Sequence, residues 1–212
     1  MDAAVFRAWI TSAARVIEVN RDHLTQLDAA IGDADHGINL ARGFAAVLGA
    51  LDAAPAKSGT PGAVLTLTGN TLISKVGGAS GPLYGMAFRR AGKSLGDAAD
   101  VDLPALSAAL DAALAGVQQL GAAREGDKTM VDALAPATRA FSEAIAAGAS
   151  QDDALTSLAE AAEAGAVATI PLQALKGRAS YLGPRSVGHE DPGAVSTALI
   201  LGALRDVART RR

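Results

Sequence analysis

Three aspartates, Asp28, Asp33 and Asp35, fall within eight residues of one another in the segment Leu27-Asp28-Ala29-Ala30-Ile31-Gly32-Asp33-Ala34-Asp35-His36-Gly37-Ile38-Asn39. Gly32 and Gly37 let the backbone bend tightly around them. Carboxylates drawn that close repel one another and hold their protons unless a cation stands between them. Hard oxygen donors, in a chain with no cysteine and no paired histidines, suit Mg²⁺ or Ca²⁺ better than zinc. Asp33-x-Asp35 copies the first two ligand positions of an EF-hand, but the sixth position is Ile38 rather than Gly and the twelfth is Phe44 rather than Glu. The same aspartates would also serve as caps and turn residues ahead of a helix starting near His36, and the segment alone does not choose.

Three further segments have the composition of binding loops. Val76-Gly77-Gly78-Ala79-Ser80-Gly81-Pro82 puts small residues before a helix, where free backbone N–H groups and the helix dipole suit a phosphate; taken alone, such a glycine-rich turn is more often a simple connection. Gly121 through Met130 misses the P-loop pattern by one residue inserted between Gly126 and Lys128, and no strand precedes it, so a Walker-type fold is rejected. Its plain reading is a polar turn with Asp127 capping a helix over 128–147. Lys176 through Gly193 gathers two arginines, a lysine, a histidine, a tyrosine and four glycines in a loop too long to be a mere connector. Arg178 or Arg185 could pair bidentately with a phosphate or be a solvated surface charge. His23, His36 and His189 have no metal-ligand spacing, which makes them structural or hydrogen-bonding residues rather than zinc ligands.

The elements that must position these loops are helical. Apolar residues recur at three and four, aromatics are only 3%, and no stretch alternates β-branched residues with period two, so the expected class is all-α. The periodicity predicts helices over 3–20, 36–52, 61–75, 82–95, 103–119, 127–147, 152–168 and 192–210, with 169–191 mostly loop. Pro55 and Ser58-Gly59-Thr60-Pro61 separate two of them, and glycine-rich turns separate the others. Without a second core, a long linker or an internal repeat, residues 1–212 read as one domain. Antiparallel packing of such helices into a bundle or barrel would collect the unusual segments, which fall in alternate loops, at one end. A net charge of −3 gives no basic footprint for nucleic acid. The apolar run Ala194–Leu204 is too short to span a membrane, the first residues lack a signal-peptide core, and a cytoplasmic location is expected.

Together, Gly32-Asp33-Ala34-Asp35-His36-Gly37, Gly77-Gly78-Ala79-Ser80-Gly81-Pro82-Leu83, Gly126-Asp127-Lys128-Thr129-Met130 and Gly177-Arg178-Ala179-Ser180-Tyr181-Leu182-Gly183 resemble the L subunit of dihydroxyacetone kinase over nearly the whole chain. The resemblance implies an eight-helix antiparallel barrel with ADP or ATP at one rim. Asp28, Asp33 and Asp35 would then hold two Mg²⁺ ions. His36, Gly37, Ile38, Asn39, Ala79 and Ser80 would line the nucleotide site, with Gly121, Met130, Arg178, Asp191, Pro192 and Gly193 closing around it. Ile38 departs from the Thr often found in this motif, so a side-chain contact to phosphate there would be lost and a backbone contact kept.

By the same resemblance, the triose is carried on a histidine of a separate K subunit, so no acid, base or nucleophile is assigned to this chain. The nucleotide rim would dock on that partner. The lack of a fused K domain resembles the phosphotransferase-system-dependent enzymes, in which ADP stays bound and is recharged by a phosphoprotein M subunit. The alternatives are an ATP-dependent kinase for another small ketose, or a nucleotide-loaded co-regulator that binds a transcriptional activator. A plain helical interaction module would show no magnesium-dependent nucleotide binding. A homodimer is compatible with all of these.

Overall fold

The computed structural model describes residues 1–54 and 58–210; Pro55, expected to end a helix, lies outside them. Among the described residues the chain forms α1 (Ala3–Val19), α2 (Arg21–Ile31), α3 (His36–Ala53), α4 (Pro61–Lys75), α5 (Ser80–Leu95), α6 (Leu103–Gly121), α7 (Val131–Ala146), α8 (Gln151–Ala168) and α9 (Pro192–Thr210). Local chemistry sets the starts. Side chains of Asp2, Thr60, Asp102 and Ser150 accept backbone N–H groups three residues on, at the N-termini of α1, α4, α6 and α8.

Three features depart from the sequence reading. α2 was not expected; Asn20 serves as both the end of α1 and the start of α2, and its side chain donates to the Val16 carbonyl at 2.8 Å. α7 begins at Val131 rather than at 127, and Asp127 does not cap it: its carboxylate accepts from the Arg124 amide. Asp132 instead organises the turn, accepting from the amides of Gly126 (2.6 Å) and Thr129 (2.7 Å). The stretch 169–191, expected to be mostly loop, contains a 3-10 segment, Arg178–Ser186, broken at Gly183 by a left-handed φ of 56°.

Eight of the helices close a ring in which α1 packs on α3, each helix from α3 onward packs on the next, and α9 returns to α1. The seam is sealed by Trp9, whose Nε1–H donates to the Ile200 carbonyl at 2.8 Å. Phe6, Trp9, Phe88 and Phe44 follow one another through the core at centroid separations of 5.8–6.3 Å. Because bulky residues are few, close backbone approach does much of the packing. At the α4–α5 contact a Cβ on Gly69 would stand 2.5 Å from the Gly85 carbonyl oxygen, so only glycine permits that separation.

Neighbouring helices run antiparallel: Gly62 faces Gly96 while Gly69 faces Gly85, and Gly116 faces Met86 while Gly121 faces Leu83. Alternate loops therefore emerge at the same end. The N-termini of α3, α5, α7 and α9 meet at one rim, with α2 packed on α3 beside them.

Candidate nucleotide and metal site

A cleft of about 270 Å³ opens at that rim, and its walls come from the loops before α3, α5, α7 and α9. Four helix N-termini turn their positive ends towards it, first-turn amides of α7 and α9 being already met by Thr129 Oγ1 and Asp191 Oδ2. The carboxylates of Asp28, Asp33 and Asp35 lie on one side, with ligand oxygens all within 4.8 Å of one another. Asp28 is the fixed member. It sits at the buried face of α2 and is 9% exposed. Its Oδ2 accepts from the amides of Asp35 (2.8 Å) and His36 (3.1 Å). A Cβ at Gly32 would collide with Oδ1, which accounts for glycine there, and Ala34 takes a left-handed φ of 62° to bring Asp35 round. Asp33 is exposed, and the Arg178 guanidinium pairs with its Oδ2 at 3.0 Å. An all-oxygen trio on a tight turn fits Mg²⁺, which takes one or two carboxylates and leaves its other positions to water and phosphate.

Behind the cleft lies a buried polar chain. His36 contacts Ser80 Oγ through Nδ1 (3.0 Å) and Ser196 Oγ through Nε2 (2.8 Å), linking the N-termini of α3, α5 and α9. Burial holds its pKa below the usual imidazole value, against the opposing pull of Asp28 and Asp35. The Tyr84 hydroxyl continues the chain to Ser196 (2.7 Å), Thr197 (2.8 Å) and the Gly193 carbonyl (3.0 Å), and burial pushes its pKa well up, so it remains a donor. Asp191 caps α9 by accepting from the Ala194 amide at 2.8 Å. Burial raises its carboxyl to about 7, helped by nearby Asp132 and opposed by that amide and by Lys128.

Residues 30–206 match the DAK2 domain. The chain belongs to the DAK2 family. It is 41% identical over 201 residues to the ADP-binding subunit DhaL of the PEP-dependent dihydroxyacetone kinase of Escherichia coli (strain K12), an alignment covering 95% of each chain. To the DhaL subunit of the PTS-dependent dihydroxyacetone kinase of Lactococcus lactis subsp. lactis (strain IL1403) it is 39% identical, with 94% of each chain covered. Human triokinase/FMN cyclase is 38% identical over 89% of this chain, which spans 32% of that protein. The dihydroxyacetone kinase of C. freundii superposes with a TM-score of 0.69 at 28% identity in its native form. With AMP-PNP and Mg²⁺ bound, that kinase gives 0.67 at 30% identity, and in each case 96% of this chain matches 34% of that one.

Within this DAK2 chain the structure brings most of the expected site residues to one cleft. Asp28, Asp33, Asp35, His36, Ala79, Ser80, Gly121, Met130, Arg178, Asp191, Pro192 and Gly193 all line it. Gly37, Ile38 and Asn39 do not. Gly37 abuts α2, where a Cβ would collide with the Arg21 carbonyl; Ile38 faces outward and is half exposed; Asn39 is buried and accepts from Arg42 at 2.8 Å. One helical turn after His36 rotates successive side chains away from the cleft, leaving backbone N–H groups as the α3 contribution.

Sequence reasoning gave no task to Tyr84, Ser196 and Thr197 of the buried chain. Ser196 and Thr197 interrupt an apolar helix at adjacent positions, which was their one signal. Lys128 stands within one of the motifs and has no role in the sequence reading.

Proposed function

We propose that this chain is the ADP-binding subunit of a dihydroxyacetone kinase. The observation that carries the reading is the Asp28–Asp33–Asp35 cluster opening on a cleft ringed by four helix N-termini, a device for a magnesium-bound polyphosphate. Support comes from the full-length similarity to subunits named for ADP binding and from the fold shared with a kinase that takes AMP-PNP and Mg²⁺.

On this reading Asp28, Asp33 and Asp35 hold two Mg²⁺ ions, which when bound neutralise charge on the phosphoryl oxygens. The chain does the rest by position. Asp28 is pinned by two amides, so the cluster is set before ligand arrives. The first turns of α3 and α5 offer N–H groups to the phosphates, and Arg178 adds a planar guanidinium beside Asp33. Ile31, Leu83, Val117 and Met130 provide an apolar wall for the base. No side chain of the cleft is needed as acid, base or nucleophile, since the acceptor triose arrives on a K subunit.

The outward surface of the rim suits that encounter. Val19, Ile38, Ile73, Leu120, Val167, Ile170, Leu175, Tyr181 and Val187 are the exposed large apolar residues among those described, and all of them belong to helix ends or loops at this end. The phosphoryl donor on this reading is a phosphoprotein M subunit acting on retained ADP, in the cytoplasm. No described helix is long and apolar enough to cross a membrane.

Denaturing release of nucleotide from untreated protein, with magnesium measured on the same sample, tests the proposal. Stoichiometric ADP with about two magnesium ions is the expected outcome for a two-metal phosphoryl site. An empty protein that binds ATP reversibly would replace the phosphoprotein donor with ATP. Failure to bind either nucleotide with Mg²⁺ would sink the kinase reading.

A further inference from the structure

The long loop between α8 and α9 is pinched at its neck by a side chain to which the site reading gives no task. Among the described residues Lys128 is the one buried lysine or arginine, 1% exposed, and its φ of 61° is left-handed. A non-glycine residue keeps such a backbone only where its surroundings enforce it. The Lys128 ammonium donates to the carbonyls of Thr169 (2.8 Å) and His189, which stand at the two ends of the loop. The amide of Gly188 donates to the Ile170 carbonyl at 2.8 Å and that of Asp191 to Thr169 Oγ1 at 2.9 Å, so one backbone bond and one bond to a side chain close the same neck. Beyond the neck the loop carries Arg178 to Asp33, and directly after it begins the Asp191–Gly193 wall of the cleft.

A buried ammonium is expensive unless paired, and an apolar side chain of equal length would fill the space without that cost. What the charge does here is bind two carbonyls that no apolar side chain could hold. We propose that Lys128 is a positioning residue of the nucleotide site, a latch that closes the 169–191 loop so that Arg178 stands over Asp33 and the α9 N-terminus faces the cleft. The proposal rests on the nucleotide-site reading above.

The test is a double-substitution cycle on Mg²⁺-ADP affinity in the full chain, with Lys128→Met and Arg178→Ala alone and combined. Lys128→Met is expected to weaken binding by at least about tenfold, and Arg178→Ala should then cost far less in that background than in the native one, because its guanidinium is no longer presented. Additive losses, or an unchanged affinity in folded Lys128→Met, overturn the latch. If native protein itself binds no Mg²⁺-ADP, the site reading has failed and not the latch alone. Should Lys128→Met not fold, amine labelling of the native protein decides: Lys128 should label more slowly than exposed Lys75 and Lys93, and Mg²⁺-ADP should slow it further. Labelling of Lys128 indifferent to nucleotide would overturn the proposal.

Discussion

Asp28 and Asp33 share a ligand role and differ in what else they hold. Asp28 satisfies two backbone amides at the α2–α3 corner, whereas Asp33 is exposed and meets Arg178. Both Asp28→Ala and Asp33→Ala are expected to lower Mg²⁺-dependent nucleotide affinity by at least about tenfold, as loss of a metal-site carboxylate does. Only Asp28→Ala should also destabilise the metal-free protein, by about 1–3 kcal/mol, because it orphans two donors. Thermal unfolding in chelator separates them; equal midpoints would contradict the corner geometry. Asp191 gives a pH signature. Its carboxyl is raised to about 7 by burial, above its value in the unfolded chain, so the native state binds the extra proton. The stability this proton confers is complete at low pH and is lost as pH rises towards 7. Asp191→Asn, which keeps an acceptor for the Ala194 amide, should flatten that decline in a series of melting curves between pH 5 and 8. An unchanged slope would show that Asp191 is ionised throughout.

At the scale of elements, what the sequence revealed was set by how cleanly each helix separates its faces. α1, α4 and α8 have caps and regular apolar spacing, and their bounds were read within a residue or two. α2 was missed because one of its three buried positions, Leu24, Asp28 and Ile31, is an aspartate, so the carboxylate that matters chemically also erased the apolar stripe. The start of α7 was misplaced because Asp127 looks like a cap, while the real organiser, Asp132, lies inside the helix and reaches back. The closeness of the aspartates was legible from spacing, which by itself left ligands and helix caps both open. The Ser80–His36–Ser196–Tyr84 chain was not, since it joins three helices distant in sequence. The α4–α5 contact offers a test of packing by backbone approach. Gly69→Ala should cost about 1–3 kcal/mol, as overpacking does, and show as a lower denaturation midpoint with the helical signal intact. A neutral result would mean that the two helices can part freely.

Across the whole molecule, apolar exposure and chemistry coincide at one rim. Tyr181 is 88% exposed and belongs to none of the buried core clusters. Its removal should leave folding and nucleotide affinity unchanged yet slow the reaction reconstituted with a K subunit, raising the partner concentration needed for half the maximal rate by up to about tenfold, as an interfacial tyrosine can. A rate indifferent to Tyr181→Ala would move the docking surface elsewhere.

The opposite end of the ring carries the turns at Gly96–Asp102 and Gly148–Ser150, together with the Met1 ammonium bound to the Val101 carbonyl at 2.7 Å. Sixteen to nineteen residues of α5 or α6 separate those turns from the cleft, about 25 Å at the helical rise. That distance makes the far turns attachment points. A fluorophore or surface tether placed at the exposed Ala99 would report on or immobilise a working subunit without entering its reaction, because among the described residues no loop is shared between the end that is held and the end that acts.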